Sequence, residues 1–249
     1  MRIKEFDFDQ LVLPLGKTLP AGRAAALAVF DALVDMAKYA EAAVEAVESR
    51  KEAGSLIIAF HADGMSACEE NAEPACAALA GASALCIRPH DEDTFWVEVS
   101  IPCVFPESDA AGDQSVSVAW DKREAYEDAP PPDWLSDALK AVNEERGKLC
   151  FEDFTPNYDQ MTKLAEVYAA VKSLAASTDA VFEFTKPDPP RNMHGGVHLK
   201  VRGFLHLEKE NLAALISVIK TAGSLGVSST EDGHVYLSFW VNSIYLPNE

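Results

Sequence analysis

The chain lacks the motifs by which many proteins reveal their chemistry. It has no phosphate-cradling G-x-x-x-x-G-K-[ST] run, no G-x-G-x-x-G after a strand, no H-E-x-x-H and no EF-hand loop. No cofactor is implied, and no diagnostic catalytic motif decides whether the chain is an enzyme. Basic residues are scarce: 21 Lys and Arg stand against 40 Asp and Glu, a formal net charge of −19 over 249 residues. Phosphate backbones are bound by clustered cations, so this balance argues against nucleic-acid partners and against anionic membranes. An acidic surface suits solvation or a basic protein partner.

Cysteine is sparse and unpatterned. Cys68, Cys76, Cys86, Cys103 and Cys150 are odd in number, widely spaced and free of any C-x-x-C pair. Neither a disulfide framework nor a zinc knuckle is indicated, and small buried thiols in a reducing compartment are expected. The N-terminal MRIKEFDFDQ has no apolar run of signal type. The most apolar long stretch, 24–47, is broken by Asp31, Asp35, Lys38, Glu41 and Glu45, so it does not read as a membrane span. A cytoplasmic location is the expectation.

What is present suits a globular core, with 48% hydrophobic and 24% charged residues. The negative charge is uneven. Residues 1–106 hold 8 Lys/Arg against 17 Asp/Glu, residues 107–147 hold 4 against 11, and residues 148–249 hold 9 against 12. The last segment is thus close to neutral.

An internal repeat organises the chain. DEDTFWVEVSIPCVFPE (91–107) parallels EDGHVYLSFWVNSIYLPNE (231–249): each has an acidic turn, an alternating strand, then proline followed closely by Glu. Phe95, Val97, Val99 and Ile101 share one face, as do Val235, Leu237, Phe239 and Val241, and an offset of 140 keeps that parity. Upstream, GASAL (81–85) parallels AGSLG (222–226), EEN (69–71) parallels KEN (209–211), and SLIIAF (55–60) and VHLKVRGFLHL (197–207) precede the matching helices. Helical patterns over about 21–52 and 157–178 follow strand-like starts, RIKEFDF (2–8) and LCFEDF (149–154). In the first of these, Phe30, Leu33, Ala37, Ala40, Val44 and Val47 form a 3–4-spaced stripe, with Gly54 as its end. Leu212, Leu215, Ile216 and Ile219 form the stripe of a helix over 208–223. VFEFT (181–185) adds a strand.

The fold class that follows is α+β: a tandem duplication of a two-layer α/β sandwich, an antiparallel sheet with helices on one face. The element order is compatible with a ferredoxin-like βαββαβ core carrying an extra strand. The divisions are 1–107, a first repeat, 108–147, an acidic structured connector, and 148–249, a second repeat. The connector holds a short strand SVSVAW, three prolines at 130–132 and a helix, DWLSDALKAVNEER, that Trp134, Leu135, Leu139 and Val142 would dock.

Four places could carry chemistry. On a strand through 197–207, His198, Lys200, Arg202 and His206 share the face opposite Val197, Leu199, Val201, Leu205 and Leu207. Four nitrogen-bearing side chains could hold a small anion, or they could pair across strands with acids such as Glu183. His194 and His198 are four apart, which aligns metal ligands on a helix but not through Gly195-Gly196 into a strand, so no metal is expected. The acidic turns RPHDED (88–93) and STEDGH (229–234) suit exposed hairpin tips better than a cation site. His61, Asp63 and Ser66 lie too close in sequence for a hydrolytic triad and lack a G-x-S-x-G elbow. Finally, Trp96, Tyr236 and Trp240 point away from the aliphatic faces and need a cover: the other half, a second copy in a homodimer, or a ligand.

The leading expectation is a non-catalytic cytoplasmic binding or interaction protein built from two related halves. The alternative is a binding protein or enzyme that holds a small anionic ligand between the halves through His198, Lys200, Arg202 and His206.

Overall fold

Left-handed residues mark several of the turns between elements, among them Glu41, Ala53, Gly54, Gly203 and Gly223. The computed structural model describes residues 7–68, 70–106, 114–119, 153–178, 180–187, 193–230 and 232–248. Helix α1 (Phe8–Val12) is capped by the Asp7 carboxylate, which accepts from the Asp9 amide, and a 3-10 turn (Leu13–Leu15) follows. Phe8 therefore begins a helix, not a continuation of the strand expected over 2–8; residues 2–6 lie outside the described residues. Helix α2 (Pro20–Tyr39) opens with proline at its first position, where no amide is needed.

The helical stripe expected to run to 52 ends earlier. After Ala40 the backbone of Glu41 turns left-handed (φ 52°), and Val44–Glu52 is strand β1. Val44 and Val47 satisfy both a helical and an alternating pattern, and sheet pairing wins. Ala53 (φ 43°) and Gly54 (φ 83°) then make a two-residue turn into β2 (Ser55–Ala62). Two positive φ values in succession match the twist of an antiparallel hairpin.

The remaining elements are β3 (Met65–Ala67), α3 (Ala72–Leu79), β4 (Ala84–Pro89), β5 (Phe95–Ile101), β6 (Ser115–Ala119), β7 (Phe154–Pro156), α4 (Tyr158–Ala176), β8 (Ala180–Thr185), β9 (Gly195–Arg202), β10 (Leu205–Glu208), α5 (Lys209–Ala222), β11 (Leu225–Thr230), β12 (His234–Val241) and β13 (Tyr245–Pro247). The connector's SVSVA is β6, while the helix expected over 133–146 lies outside the described residues. Of the strand start expected over 149–154 only Phe154 lies in a strand, β7, which pairs with β13; 149–152 lie outside the described residues.

The strands form a six-stranded sheet, β10-β4-β5-β2-β1-β6, and a five-stranded sheet, β3-β11-β12-β9-β8. Every pairing among the described residues is antiparallel. The two sheets exchange a strand. β3 leaves the first part of the chain to pair with β11, and β10 leaves the second to pair with β4. Met65 faces Val227 and Ala67 faces Leu225; Leu205 faces Ile87 and Leu207 faces Leu85. Each residue of one exchange stands 140 positions from its counterpart in the other. The continuous strand expected over 197–207 is thus two strands in two sheets. Gly203 (φ 80°) breaks it, since a left-handed residue redirects the chain at little steric cost to glycine.

The same spacing recurs after the long strands. Cys103 (φ 57°) and Ser243 (φ 56°) are both left-handed. The next carbonyls, Val104 and Ile244, accept from the amides of Leu19 and Asn157 at 2.8 Å, just ahead of α2 and α4. Here Gly22 lets α2 touch the corner: a Cβ at that position would stand 2.1 Å from the Cys103 carbonyl oxygen.

One continuous core runs under both sheets. Phe30 on α2 packs against Phe60 on β2 (ring centroids 5.7 Å), and Phe8 packs on Phe30 (5.6 Å). Leu164, Val167, Val171 and Leu174 give α4 the matching stripe, and Leu212, Leu215, Ile216 and Ile219 line α5 as their spacing predicts.

Candidate functional site

The residues of HGGVHLKVR, His194–Arg202, carry the most chemistry of any strand, and its two glycines explain its local shape. Gly195 points inward, where a Cβ would lie 2.4 Å from Leu164 on α4. Gly196 points outward, where a Cβ would lie 2.7 Å from both His198 Nε2 and Trp240 Cζ3. Trp240 is the direct cross-strand partner of Gly196, so an indole lies over the gap that the missing side chain leaves.

His198 fills the middle of this face and is only 3% exposed. Its Nε2 lies 2.9 Å from Thr185 Oγ1 and its Nδ1 lies 3.1 Å from Ser238 Oγ. Its ring stacks on Tyr236 (5.1 Å, 21°) and meets Trp240 edge-on (5.0 Å), while His194 meets Trp240 from another side (5.5 Å). Burial pushes the His198 pKa down, with Glu183 opposing in part. Tyr236 donates its hydroxyl to Glu183 (3.2 Å). Burial, reinforced by that carboxylate, raises the phenol to about 12. The pair is an imidazole held between two hydroxyls, and a phenol that stays protonated, joined in a packed polar network.

The other cations do not join it. Lys200 borders an open hollow with Glu92, Asp93, Ser229, Thr230 and Asp232. Arg202 is exposed at the end of β9, opposite His234. His206 lies in the other sheet, on β10 opposite Cys86, with its Nε2 3.1 Å from Glu208. The structure keeps His198, Lys200 and Arg202 on one strand face and separates His206 from them.

The first sheet has a parallel arrangement at different positions. His61, nearly buried, stacks on its cross-strand partner Trp96 (4.7 Å, 10°), and His90 meets it edge-on (4.6 Å). His61 Nδ1 lies 3.4 Å from Glu45, and Nε2 lies 2.9 Å from Thr94 Oγ1. The Thr94 hydroxyl donates to Asp91 (2.6 Å), so it accepts from His61. That donation holds the Asp91 carboxyl below the usual range. Beside them Glu98 sits between Arg50 (2.9 Å) and Arg88 (2.8 Å), and Arg88 lies over Trp96.

Trp96 stacks on His61 and lies beneath Arg88, and Trp240 meets His194 and His198 edge-on. Asp63 accepts from the Ala43 amide (2.8 Å) and Ser66 lies on β3 in the other sheet, so His61, Asp63 and Ser66 do not assemble. The two acidic turns do meet: Ser229 Oγ lies 3.4 Å from the Glu92 carbonyl. Among the described residues no group of three His, Cys, Asp or Glu could hold a metal ion, and no helix is long and apolar enough to cross a membrane.

Sequence reasoning missed Glu45, because 44–52 read as helix, and Thr94, Thr185 and Ser238, because lone hydroxyls give no signal until a histidine lies beside them. Against known proteins, the chain matches no family model and no curated relative.

Proposed function

We propose that the chain is a non-catalytic cytoplasmic binding protein, descended by duplication of one α+β unit, whose role is to engage another polypeptide. The duplication reading is supported by the common spacing of the two exchanged strand pairs and of the left-handed Cys103 and Ser243. One observation carries the functional reading: the four nitrogen-bearing side chains are not gathered into one cationic site. His198 has a partner at each ring nitrogen, Lys200 borders a hollow that Glu92, Asp93 and Asp232 also line, and His206 is bonded to Glu208 in another sheet. A site for a small anion would instead gather cations without acidic partners into a concave pocket. The acidic surface suits a basic partner.

A thermal-shift series with phosphate, sulfate and citrate tests this reading. No saturable rise in melting temperature is expected, and Lys200→Ala with Arg202→Ala should behave like the unsubstituted protein. A saturable rise that this double substitution abolishes would overturn the reading in favour of an anionic ligand.

A further inference from the structure

The two sheets end differently at corresponding strands. β1 and β8 each lie beside the long strand of their sheet, with Val47 opposite Phe60 and Phe182 opposite Leu199. The far side of β1 is closed by β6, whose Val118 faces Val47 and whose Val116 faces Ser49. Helix α1 and the 3-10 turn lie over that rim, and Ser49 is sealed there by a bond to the Leu11 carbonyl (2.6 Å). Among the described residues no strand pairs with the far side of β8.

The exposed rim of β8 is apolar. Phe182 and Phe184 meet Tyr168 of α4 edge-on, at 4.8 and 5.6 Å. Yet Phe184 remains 43% exposed and Val181 61% exposed, where Val47 and Ser49 on β1 are buried. A sheet edge offers unpaired amides and carbonyls, and natural edges are blunted by charge, proline or a covering segment. This one carries valine and phenylalanine, with Glu183 as its one charge.

We propose that the edge of β8 that no described strand pairs with, with Tyr168 beside it, takes up an extended basic segment of a partner protein as a sixth strand. The inference rests on the reading of the chain as a polypeptide-binding protein and names the surface and the partner's chemistry. β6 shows what closes the corresponding edge: a five-residue segment with valines at alternate positions. The partner strand would set apolar side chains against Phe184 and Tyr168 and, on the opposite face, a Lys or Arg toward Glu183. A second copy fits less well, since it brings its own Glu183 and another net charge of −19 to the same edge.

The test uses the full chain and two fluorescent peptides, one of Lys-Val repeats and one of Glu-Val repeats, followed by anisotropy at low salt. The Lys-Val peptide should bind saturably and at least about tenfold more tightly than the Glu-Val peptide. Phe184→Lys should weaken that binding at least about tenfold, and Glu183→Lys should reverse the preference between the peptides. Both positions are exposed, and circular dichroism checks that the fold is kept. No saturable binding of the Lys-Val peptide overturns the proposal. Binding that both substitutions leave unchanged overturns the β8 site while the polypeptide-binding reading stands. A protein that is dimeric by light scattering and becomes monomeric with Phe184→Lys assigns the edge to a second copy and overturns the proposal as well.

Discussion

The thiol of Cys76 on α3 lies 3.8 Å from the carbonyl oxygen of Ile216 on α5, two positions 140 residues apart in sequence. That is the spacing that relates the two exchanged strand pairs. Two residues at that spacing therefore touch each other where α3 and α5 pack.

Cys76 should be unreactive in the native protein. It is fully buried and burial pushes its thiol up, so little thiolate forms near neutral pH. Cys103 is exposed. Iodoacetamide labelling of the folded protein, read by peptide mass spectrometry, should modify Cys103 and leave Cys76 untouched until denaturant is added. Early labelling of Cys76 would mean that the α3–α5 contact opens readily.

Gly196→Ala should destabilise the fold by about 1–3 kcal/mol, the usual cost of forcing an extra carbon into a packed site. The added methyl meets His198 and Trp240, so the near-ultraviolet dichroism of Trp240 should change too. Gly203→Ala is the contrasting case. It meets nothing within 4 Å, but its φ of 80° is costly for alanine, about 1–2 kcal/mol. Urea midpoints measure both, and an unshifted midpoint for Gly196→Ala would remove the close packing inferred there.

His198 should make stability depend on pH on the acid side. Its folded pKa lies below the ordinary value of 6.5, so the unfolded chain binds its proton first. The native state loses nothing above 6.5 and loses stability progressively as pH falls from there toward the folded value. His198→Gln should lessen the drop in urea midpoint between about pH 7.5 and 5.5 relative to the unsubstituted protein. An equal drop in both proteins would show that the imidazole does not titrate differently on folding.

Separated halves should not reach the native state alone. Residues 1–107 lack β10, which covers Leu85 and Ile87, and residues 148–249 lack β3, which covers Leu225 and Val227. Each fragment should melt without a cooperative transition, and mixing them should restore one, as circular dichroism would show. A cooperative melt of either fragment by itself would show that the exchanged strand is dispensable.

The alternation of Phe95–Ile101 and Val235–Val241 and the stripe of α5 were legible because side-chain periodicity is a property of the chain itself. Val44–Glu52 was not, because apolar residues spaced by three fit a helix as well as an imperfect strand, and the choice was made by pairing with β2 and β6. The site divides in the same way. The outward direction of His198, Lys200, Trp96, Tyr236 and Trp240 followed from strand parity. Their partners did not, since Thr185, Ser238, Glu45 and Thr94 are brought in from other strands and loops.

The sequence by itself determined which residues face the core, where the strands alternate and that the chain is strongly acidic, because each depends only on neighbours along the backbone. The tertiary structure alone decided that β3 and β10 change sheets, that His206 parts from His198, and that among the described residues β8 has one unpaired edge where β1 is paired on both sides. Those outcomes depend on which distant segments can bury one another's apolar faces and complete one another's backbone hydrogen bonds, a competition that local pattern does not encode.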